Sequence, residues 1–363
     1  MINICFFAGD ITRSGGTERV AITVANGLSR IGKYKISFLS LVEQKKIPFY
    51  PISPEIKRFV LKKDRKWCAP GIGYVYFLPT LRQFLRKEDI DIVIDVDLVL
   101  DVLTFPASMR LDIRIISWEH FNLFFERSIG YRRVIVWFTV HFSDYIVTLT
   151  ERDRQNYMSI AHRRKGIATI DNPINFLQKS VLVKEKIIIT VGQLIYRKGI
   201  DLLAQIIPKI LYKYKDWKWI FLGDGEYMEI LKQVHQRYKL EERLVLAGEV
   251  KNVESYLAHS SIMVMGSREE GLGMCFLEAR AFRVPCIAFD VPVGPLELIA
   301  HGVNGFLIPP FDLNDMIDKI SLLIEDEFLR EKFMDNTSLG MEKFSLDVVL
   351  KKWVDLLDKV HNK

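Results

Sequence analysis

The chain has 363 residues, 49% hydrophobic and 26% charged, a composition typical of a globular protein with well-filled cores. Its four cysteines, Cys5, Cys68, Cys275 and Cys286, form no closely spaced pair, which argues against a zinc site or a disulfide framework and favours the cytoplasm. Residues 1–170 hold 26 Lys and Arg against 17 Asp and Glu, which indicates an anionic partner or a well-solvated surface, and the basic residues follow no nucleic-acid-binding motif.

Short apolar runs alternate with amphipathic stretches through the first half of the chain. The run Ile2–Ala8 is expected to be a buried strand, since it lacks the charged flank and cleavage site of a signal peptide. The stretch Thr17–Ile31 has apolar residues at helical spacing. Further strand-like runs follow: Lys35–Val42, Ile90–Val96, Ile113–Trp118 and Tyr145–Leu149. Strands that alternate with helices predict βαβ units and a parallel sheet.

The same pattern restarts after Asn172-Pro173 and a polar connector. The predicted strands are Lys186–Val191, Trp217–Leu222, Arg243–Ala247, Ile262–Gly266 and Pro285–Phe289, and the predicted helices are Ile200–Tyr214, Tyr227–Lys239, Val253–His259 and Met274–Phe282. We predict an α/β chain of two Rossmann-like doubly wound domains, residues 1–172 and 173–344, whose ligand loops face an interdomain cleft. Residues 345–363 form an amphipathic helix that either crosses back to the first domain or packs on the second.

Three glycine-containing loops follow predicted strands and lead into helices, whose first backbone amides can receive an anion. The first contains Gly15-Gly16 and the third contains Gly223-Asp224-Gly225. The second runs from Gly192 to Gly199 and includes Gln193, Arg197 and Lys198, and its adjacent cations suit a diphosphate. Ordinary strand–helix turns use the same residue types, and neither half carries the GxGxxG fingerprint of nicotinamide-dependent enzymes.

Two glutamates give the strongest signal. Glu270 lies in a loop after a predicted strand, and Glu278 lies about one turn into the next helix. The segment between them contains Gly271, Leu272, Gly273 and Met274, which open a helix N-terminus able to receive phosphate. One carboxylate can then hold a sugar on the near side of a diphosphate, while the other accepts hydrogen bonds from adjacent ribose hydroxyls.

Taken together, these segments resemble glycosyltransferase family 4, retaining enzymes of the GT-B fold, across essentially the whole chain. The matching segments are Gly15-Gly16, Glu119-His120, Asn172-Pro173, Gly192 with Lys198-Gly199, Gly223-Asp224-Gly225, Glu270 with Glu278, and Gly305-Phe306-Leu307-Ile308-Pro309. The chain looks most like members that build bacterial exopolysaccharide and surface-antigen repeat units. The resemblance implies transfer of a hexose-type sugar from a nucleotide diphosphate sugar, UDP by family habit, to a saccharide acceptor or a polyprenyl-diphosphate-linked saccharide acceptor.

The resemblance also implies roles for individual residues. His120 would approach the donor sugar, Lys198 would neutralise the leaving diphosphate, and Glu270 would hold sugar hydroxyls. Glu278 would bind the ribose. The implied donor contacts are Gly15, Gly16, Gln193, Arg197, Lys198, Gly225, Gly271, Leu272, Gly273, Met274, Phe276, Leu277 and Glu278. His120 could instead be a satisfied core histidine.

Such enzymes need no bound metal or other cofactor, because cations and helix amides stabilise the charge. Asp95-Val96-Asp97 has the spacing of a metal-binding motif, but it lies at a predicted strand end and is expected to be structural.

Two positions depart from the family pattern. Gln193 stands where the family usually has Arg, so charge-assisted bonding to a diphosphate is expected to be weaker. Gly273 stands where such sequences commonly have Pro. The first departure keeps a non-catalytic scaffold subunit open as an alternative, and a sugar-nucleotide epimerase on a similar fold is a further alternative.

No apolar stretch is long enough to span a membrane, because the closest, Val134–Thr150, is broken by His141 and Asp144. We expect the basic first half to make peripheral contact with an anionic membrane surface on the cytoplasmic side, or else to be an ordinary solvated face. The candidate contacts are Lys57, Arg58, Lys62, Lys63, Arg65, Lys66, the aromatic run Phe121–Phe125, and Arg132-Arg133.

Overall fold

The computed structural model describes residues 1–62, 76–128, 130–161, 166–174 and 183–362, which divide into two compact units. Unit 1 combines Met1–Pro173 with Lys343–Lys363, and unit 2 is Ile174–Glu342. Each unit is built around its own parallel sheet, one of seven strands and one of six. The two doubly wound parallel sheets predicted from the alternating pattern are therefore confirmed.

The sheet of unit 1 has the strand order β3-β2-β1-β4-β5-β6-β7. Its strands are β1 Ile2–Ala8, β2 Tyr34–Val42, β3 Lys57–Lys62, β4 Ile92–Val96, β5 Arg114–Trp118, β6 Tyr145–Thr148 and β7 Ile167–Thr169. Its helices are α1 Gly16–Arg30, α2 Leu78–Lys87, α3 Asp101–Ser108, α4 Leu123–Ser128, α5 Gly130–Phe142 and α6 Glu151–Ala161. The inner strands β1 and β4 are buried at every residue except Asn3, since helices cover both faces of a parallel sheet.

Unit 2 repeats this architecture, with the strand order β10-β9-β8-β11-β12-β13. Its strands are β8 Ile187–Val191, β9 Lys218–Leu222, β10 Leu244–Gly248, β11 Ile262–Met265, β12 Cys286–Phe289 and β13 Gly305–Ile308. Its helices are α7 Ile200–Lys213, α8 Met228–Arg237, α9 Val253–His259, α10 Met274–Ala281, α11 Pro295–Leu298, α12 Leu313–Glu325 and α13 Glu327–Asp335. The core of the unit forms where α7 and α12 pack on strands rich in Ile, Trp and Phe.

The last helix, α14 (Leu346–His361), belongs to unit 1. The Ser345 hydroxyl caps its N-terminus by accepting the Val348 N–H, and the Trp353 ring packs edge-on against Trp118 at a centroid distance of 4.7 Å. A Cβ at Gly27 of α1 would lie 2.6 Å from a methyl of Leu350, so the glycine allows the two helices to approach closely. The chain therefore returns to unit 1 after completing unit 2.

Both sheets reverse their strand order at one position, between β1 and β4 in unit 1 and between β8 and β11 in unit 2. In doubly wound sheets, ligands bind beyond the carboxyl ends of the strands at this switch point, because the flanking loops diverge there. The first and second glycine loops and the Glu270 loop follow strands at these two positions, so the topology directs attention to them.

Candidate functional site

A lysine and a glutamate meet at the switch point of unit 2. Lys198 lies in the loop after β8, and Glu270 lies in the loop after β11. The Nζ of Lys198 is 2.6 Å from Oε1 of Glu270, and the Ser267 hydroxyl donates to the same oxygen at 2.6 Å. Glu270 is only 5% exposed, so water contributes little to its charge stabilisation.

These contacts keep Glu270 ionised. Burial alone would raise the pKa of this carboxyl, because a charged oxygen loses hydration. The charge of Lys198 and the hydrogen bonds from Lys198 and Ser267 outweigh burial and hold the pKa of Glu270 below its ordinary value. The switch point therefore carries one positive charge, on Lys198, and one negative charge, on Glu270, and each neutralises the other.

The loop of Lys198 is fixed against the loop of Glu270. Gly199 has a φ of +63°, and a Cβ there would lie 1.8 Å from the carbonyl oxygen of Gly266, so only glycine fits between the loops. Arg268 donates to both carboxylate oxygens of Asp201, at 2.8 and 2.7 Å, and its guanidinium lies 3.8 Å from the Tyr196 ring centre. Asp201 and Arg268 were not foreseen, because nothing local in the sequence links two residues so far apart.

The helix that carries Glu278 begins after a glycine in the left-handed conformation. Gly273, the N-cap of α10, has a φ of +82°, which proline cannot adopt, so the departure from the family pattern at this position has a backbone reason. Glu278 is buried in the second turn. The Phe276 N–H already donates to the Gly273 carbonyl at 3.0 Å, so this amide is engaged within the turn.

The third glycine loop adjoins the second. The Leu194 N–H donates to the Asp224 carbonyl at 2.9 Å, and the Tyr227 N–H donates to the Leu194 carbonyl at 2.8 Å. Gln193 is exposed beside them, whereas Gly225, Arg197 and Met274 are half-buried and Gly271 and Leu272 are buried. The structure thus brings three loops that were singled out from the sequence, those after β8, β9 and β11, to one edge of the unit 2 sheet.

The glycine loop of unit 1 holds a carboxylate that the sequence analysis missed. Gly15 is the N-cap of α1, and Gly16 is the first helical residue. The Glu18 side chain folds back until one oxygen lies 2.2 Å from where a Cβ of Gly15 would be, and its other oxygen is 3.4 Å from Nε of Arg13. Burial raises the pKa of Glu18, and Arg13 lowers it in part.

His120 follows β5 and is 7% exposed. Its ring lies 4.5 Å from the Trp118 ring, centre to centre, and within the described ranges its Nε2 has no hydrogen-bond partner. Burial lowers the pKa of His120 to about 3, because the imidazolium would lose its hydration. The imidazole is therefore neutral at physiological pH.

The side chain of Glu119, beside His120, is fixed by two hydrogen bonds. It accepts the Phe121 N–H at 2.8 Å and a short hydrogen bond from the Tyr157 hydroxyl. Burial raises the pKa of Glu119 well above its usual range, and the carboxylates of Glu126 and Asp153 add to this rise. The residue anchors the turn that presents His120.

Two further carboxyls lie deeper in unit 1. Asp95 accepts from the Thr104 hydroxyl at 2.7 Å, and Asp101 accepts from the Ser117 hydroxyl at 2.9 Å. Both are fully buried, and burial raises the pKa of each, to about 7 for Asp95. Asp95 lies in β4, as its position in the Asp95-Val96-Asp97 segment indicated.

The prediction that Arg132 contacts a membrane is wrong. Arg132 is buried, forms a short ion pair with Glu126 and lies 3.8 Å from Asp97. The rings of Phe121 and Phe125 lie 5.6 and 5.1 Å from its guanidinium, so these two members of the aromatic run pack inward as well. The sequence alone does not distinguish Arg132, which lies beside buried carboxylates, from its exposed neighbour Arg133.

The other membrane candidates differ in their surroundings. Lys57 is exposed on the edge strand β3, and Arg58 forms a 2.7 Å ion pair with Glu43. Lys62 is half-buried, and Phe124 and Arg133 are exposed. Lys63, Arg65 and Lys66 lie outside the described residues.

Over the described part of the chain, no three His, Cys, Asp or Glu side chains are grouped so as to hold a metal ion. No helix among the same residues has the length and apolar character needed to cross a membrane.

Comparison with known proteins agrees with this architecture. The model for glycosyltransferase family 4 matches residues 14–176, and that for glycosyl transferases group 1 matches residues 174–339. An uncharacterised glycosyltransferase from Haemophilus influenzae is 31% identical over 98% of this chain and 100% of its own.

A second relative and a solved structure cover the full length too. The relative, from Campylobacter jejuni, is the GalNAc-alpha-(1->4)-GalNAc-alpha-(1->3)-diNAcBac-PP-undecaprenol alpha-1,4-N-acetyl-D-galactosaminyltransferase, 23% identical over 100% of both chains. TarM of S. aureus, solved as a point mutant with fondaparinux, alpha-GlcNAc-glycerol and UDP, superposes with a TM-score of 0.80 at 16% identity, covering 99% of this chain and 100% of TarM. The fold is GT-B, and the chain belongs to glycosyltransferase family 4, a family of enzymes whose bacterial members include builders of polysaccharides and surface glycans.

Proposed function

We propose that the chain transfers a hexose-type sugar, with retention of configuration, from a UDP-sugar to a saccharide acceptor carried on a polyprenyl diphosphate lipid. The observation that carries the proposal is the Lys198–Glu270 pair at the switch point of unit 2. The UDP named with TarM supports the donor base. The PP-undecaprenol glycan in the name of the Campylobacter relative supports the acceptor class.

In this proposal, Lys198 exchanges partners during donor binding. Its ammonium neutralises the donor diphosphate, and Glu270, still held by Ser267, accepts hydrogen bonds from sugar hydroxyls. When the bond between the anomeric carbon and the diphosphate breaks, the diphosphate oxygen keeps the electron pair, while the acceptor hydroxyl oxygen bonds to the anomeric carbon and its proton passes to the departing diphosphate. Lys198 then stabilises charge that is larger in the transition state than in the bound donor, which is the condition for catalysis.

The remaining residues position the donor. Glu278, in the second turn of α10, binds the ribose hydroxyls, and the amides near Phe276 and Leu277, in the first turn of this helix, meet the phosphates. His120 approaches the donor sugar as a neutral imidazole, so it exchanges hydrogen bonds with a hydroxyl without adding charge. These helix amides and Lys198 supply the charge stabilisation, and we propose that no metal is required.

A thermal-shift screen with UDP, GDP, ADP and CDP, each with and without EDTA, tests the donor site. A ligand at about 100 times its dissociation constant adds roughly 2.7 kcal/mol to the free energy of unfolding. We expect UDP to raise the melting temperature equally in both conditions and Glu278→Ala to abolish the rise. Lys186→Ala, at an exposed lysine of the same unit, is the matched control.

Each failure has a distinct meaning. A shift with another nucleotide would replace UDP as the donor base, and a shift that EDTA removes would contradict the metal-free site. Glycan transfer with the stabilising donor is then followed by NMR, where an inverted anomeric product would refute retention. Nucleotide-sugar turnover to an epimer without any acceptor would favour the epimerase.

A further inference from the structure

An arginine from the loop that carries Glu270 reaches across to the loop that carries Lys198. Arg268 follows β11, and its guanidinium donates to both carboxylate oxygens of Asp201, at 2.8 and 2.7 Å. The same guanidinium donates to the Tyr196 carbonyl at 2.7 Å and lies 3.8 Å from the centre of the Tyr196 ring. We call Tyr196, Asp201 and Arg268 the loop clamp.

The contacts of the loop clamp lie on both sides of Lys198. Tyr196 precedes Lys198 by two residues, and Asp201 follows it by three. The backbone N–H of Arg268 adds a further contact, because it donates to the Arg197 carbonyl at 2.8 Å. One residue after β11 therefore holds the chain before Lys198 and the chain after it.

The ion pair within the loop clamp has the geometry of a strong contact. Two parallel N–H···O bonds fix the direction of the guanidinium as well as its distance from the carboxylate. The Arg268 and Asp201 side chains are 17% and 28% exposed, so water competes for them less than at a surface pair. Hydrogen bonds from Arg268 hold the pKa of Asp201 below its ordinary value, so the pair stays charged at neutral pH. A lysine would supply the charge but neither the fork nor the flat face that covers the Tyr196 ring.

The loop clamp is independent of the contact that donor binding breaks. Lys198 and Glu270 are joined at 2.6 Å, and in the proposed function Lys198 leaves Glu270 for the donor diphosphate. The clamp includes neither of these residues, so it can keep the two loops together while a diphosphate lies between Lys198 and Glu270.

We propose that Arg268 is a positioning residue, which acts through Asp201 and Tyr196 to keep the Lys198 loop in place once Lys198 has separated from Glu270. The consequence for turnover rests on the proposed function, because it concerns where the ammonium meets the leaving diphosphate. A displacement of about 1 Å from such a position can cost about a hundredfold in rate. The holding of the loop itself needs no ligand and is measured separately.

Hydrogen exchange of the full chain, followed by mass spectrometry, tests the loop clamp without any ligand. The amides of Lys198 and Gly199 donate to carbonyls of their own loop at 3.0 and 2.9 Å, so their exchange reports its opening. Lys198→Ala removes the contact with Glu270, and residues 193–199 should stay protected. Lys198→Ala combined with Arg268→Gln removes both contacts and should speed exchange of this peptide by about tenfold or more.

A second ion pair of unit 2 supplies the matched control. Arg283 pairs with Asp335 and lies in the turn before β12. Lys198→Ala combined with Arg283→Gln removes one guanidinium, as the test variant does, and should leave the protection of residues 193–199 as it is in Lys198→Ala.

Turnover, followed as UDP release from the donor that stabilises the protein, gives the second readout. Arg268→Gln should lower kcat by about tenfold to a hundredfold and change the dissociation constant of UDP by less than about threefold. Arg268→Lys should be similarly slow, because it keeps the charge without the fork. Asp201→Asn combined with Arg268→Gln should be no slower than Arg268→Gln alone, since the two residues act as one unit.

Three results would overturn the inference. Equal protection of residues 193–199 in Lys198→Ala with and without Arg268→Gln would show that the loop clamp does not hold the loop. Faster exchange throughout unit 2 in Arg268→Gln would assign the arginine to general stability, and parental turnover in Arg268→Lys would show that charge alone suffices. If the parent chain releases no UDP while the exchange results are as expected, the proposed function fails and the loop clamp stands.

Discussion

The surroundings of a buried glutamate lower its pKa in unit 2 and raise it in unit 1. Glu270 in unit 2 and Glu119 in unit 1 both follow a strand of a doubly wound sheet, and both are almost fully buried. Glu270 has an ammonium and a hydroxyl on one oxygen and stays ionised, whereas Glu119 has a phenol and an amide, with other carboxyls nearby, and its pKa is raised. Of these two buried acids, the one that lies beside a cation is held in its charged form.

The buried acids of the two units differ in what can reach them. In unit 2, the carboxylate and its cation lie at the switch point, where a ligand can compete for either of them. In unit 1, the buried acids are satisfied largely by hydroxyls and by Arg132, so they bind the strand ends to the surrounding helices. Changes in unit 2 should therefore act mainly on turnover, and changes in unit 1 mainly on folding.

The largest effect is expected for Arg132→Met. Removal of the guanidinium leaves Glu126 and Asp97 without their nearest cation, and loss of one partner from a buried ion pair costs about 3–5 kcal/mol. Urea unfolding, followed by amide exchange in peptides of unit 1, measures this loss. Arg133→Met, on the exposed neighbour, should change the free energy of unfolding by no more than about 0.5 kcal/mol.

A double variant sharpens this test. Burial raises the pKa of Glu126 to about 8, so the variants are compared above that pH, where the carboxyl is ionised. Arg132→Met combined with Glu126→Gln then removes the buried negative charge as well as the cation, so part of the lost stability should return. If the double variant is no more stable than Arg132→Met, charge compensation is not what Arg132 supplies, and the contrast between the units fails.

Lys198→Ala should reduce turnover by about a hundredfold to a thousandfold, as for other groups that stabilise charge developing on a leaving group. The readout is UDP release from the donor that stabilises the protein. Lys186→Ala, whose ammonium pairs with Asp216 at the surface, should retain full turnover. A loss confined to KM would show that Lys198 binds donor and transition state equally, contrary to the proposed role.

The sequence predicted the sheets where burial leaves a continuous signal. The run predicted over Lys186–Val191 is β8 over Ile187–Val191, because a central parallel strand is apolar on both faces. The two edge strands of unit 1 gave no such signal: Lys57–Lys62 is basic and partly exposed, and Ile167–Thr169 has only three residues. Neither strand was foreseen, since pairing with a neighbour rather than burial defines them.

The residues of the candidate site also fall into two groups, those that a local sequence motif predicted and those that depend on contacts between distant residues. Glu270 and Lys198 were predicted because each lies in a local motif, a glycine-containing turn between strand and helix. The structural roles of Arg132 and Glu18 were not, because they depend on tertiary contacts with Glu126 and with the Gly15 turn. The proposed roles of Glu278 and His120 stay predictions until a ligand is measured.

The carboxyl pair of unit 1 should make stability depend on pH. The folded pKa of Asp95 is about 7, far above its ordinary value, because burial disfavours the charged form. Between about pH 4 and pH 7 the folded chain therefore holds a proton on Asp95 that the unfolded chain has released, and the contribution of this group to the free energy of unfolding falls as pH rises, by up to about 1.4 kcal/mol per pH unit.

Asp95→Asn isolates this contribution. The amide keeps an oxygen for the Thr104 hydroxyl but cannot titrate, and Asp101 loses a neighbouring negative charge. Urea unfolding at a series of pH values should give a flatter slope over that range for the variant than for the parent chain. Asp216→Asn, on the surface of unit 2, should leave the slope as it is, and an unchanged slope in Asp95→Asn would show that the proton lies elsewhere.

The smallest effect is expected at Gln193, the exposed neutral side chain beside the Lys198 loop. If unit 2 binds a diphosphate through its cations, Gln193→Arg should tighten UDP binding by up to about tenfold, because a guanidinium forms charge-assisted bonds that an amide cannot. Calorimetric titration gives the dissociation constant. Gln205→Arg adds the same charge on the exposed side of α7 and should have little effect at physiological salt.

The salt dependence of the Gln193→Arg result separates contact from general attraction. A direct bond to the diphosphate leaves most of the gain intact as salt rises, whereas long-range attraction is screened and would appear equally in Gln205→Arg. Equal gains in both variants would place Gln193 away from the diphosphate. Unchanged affinity in Gln193→Arg alone would mean that Lys198, already paired with Glu270, supplies the cation that unit 2 needs.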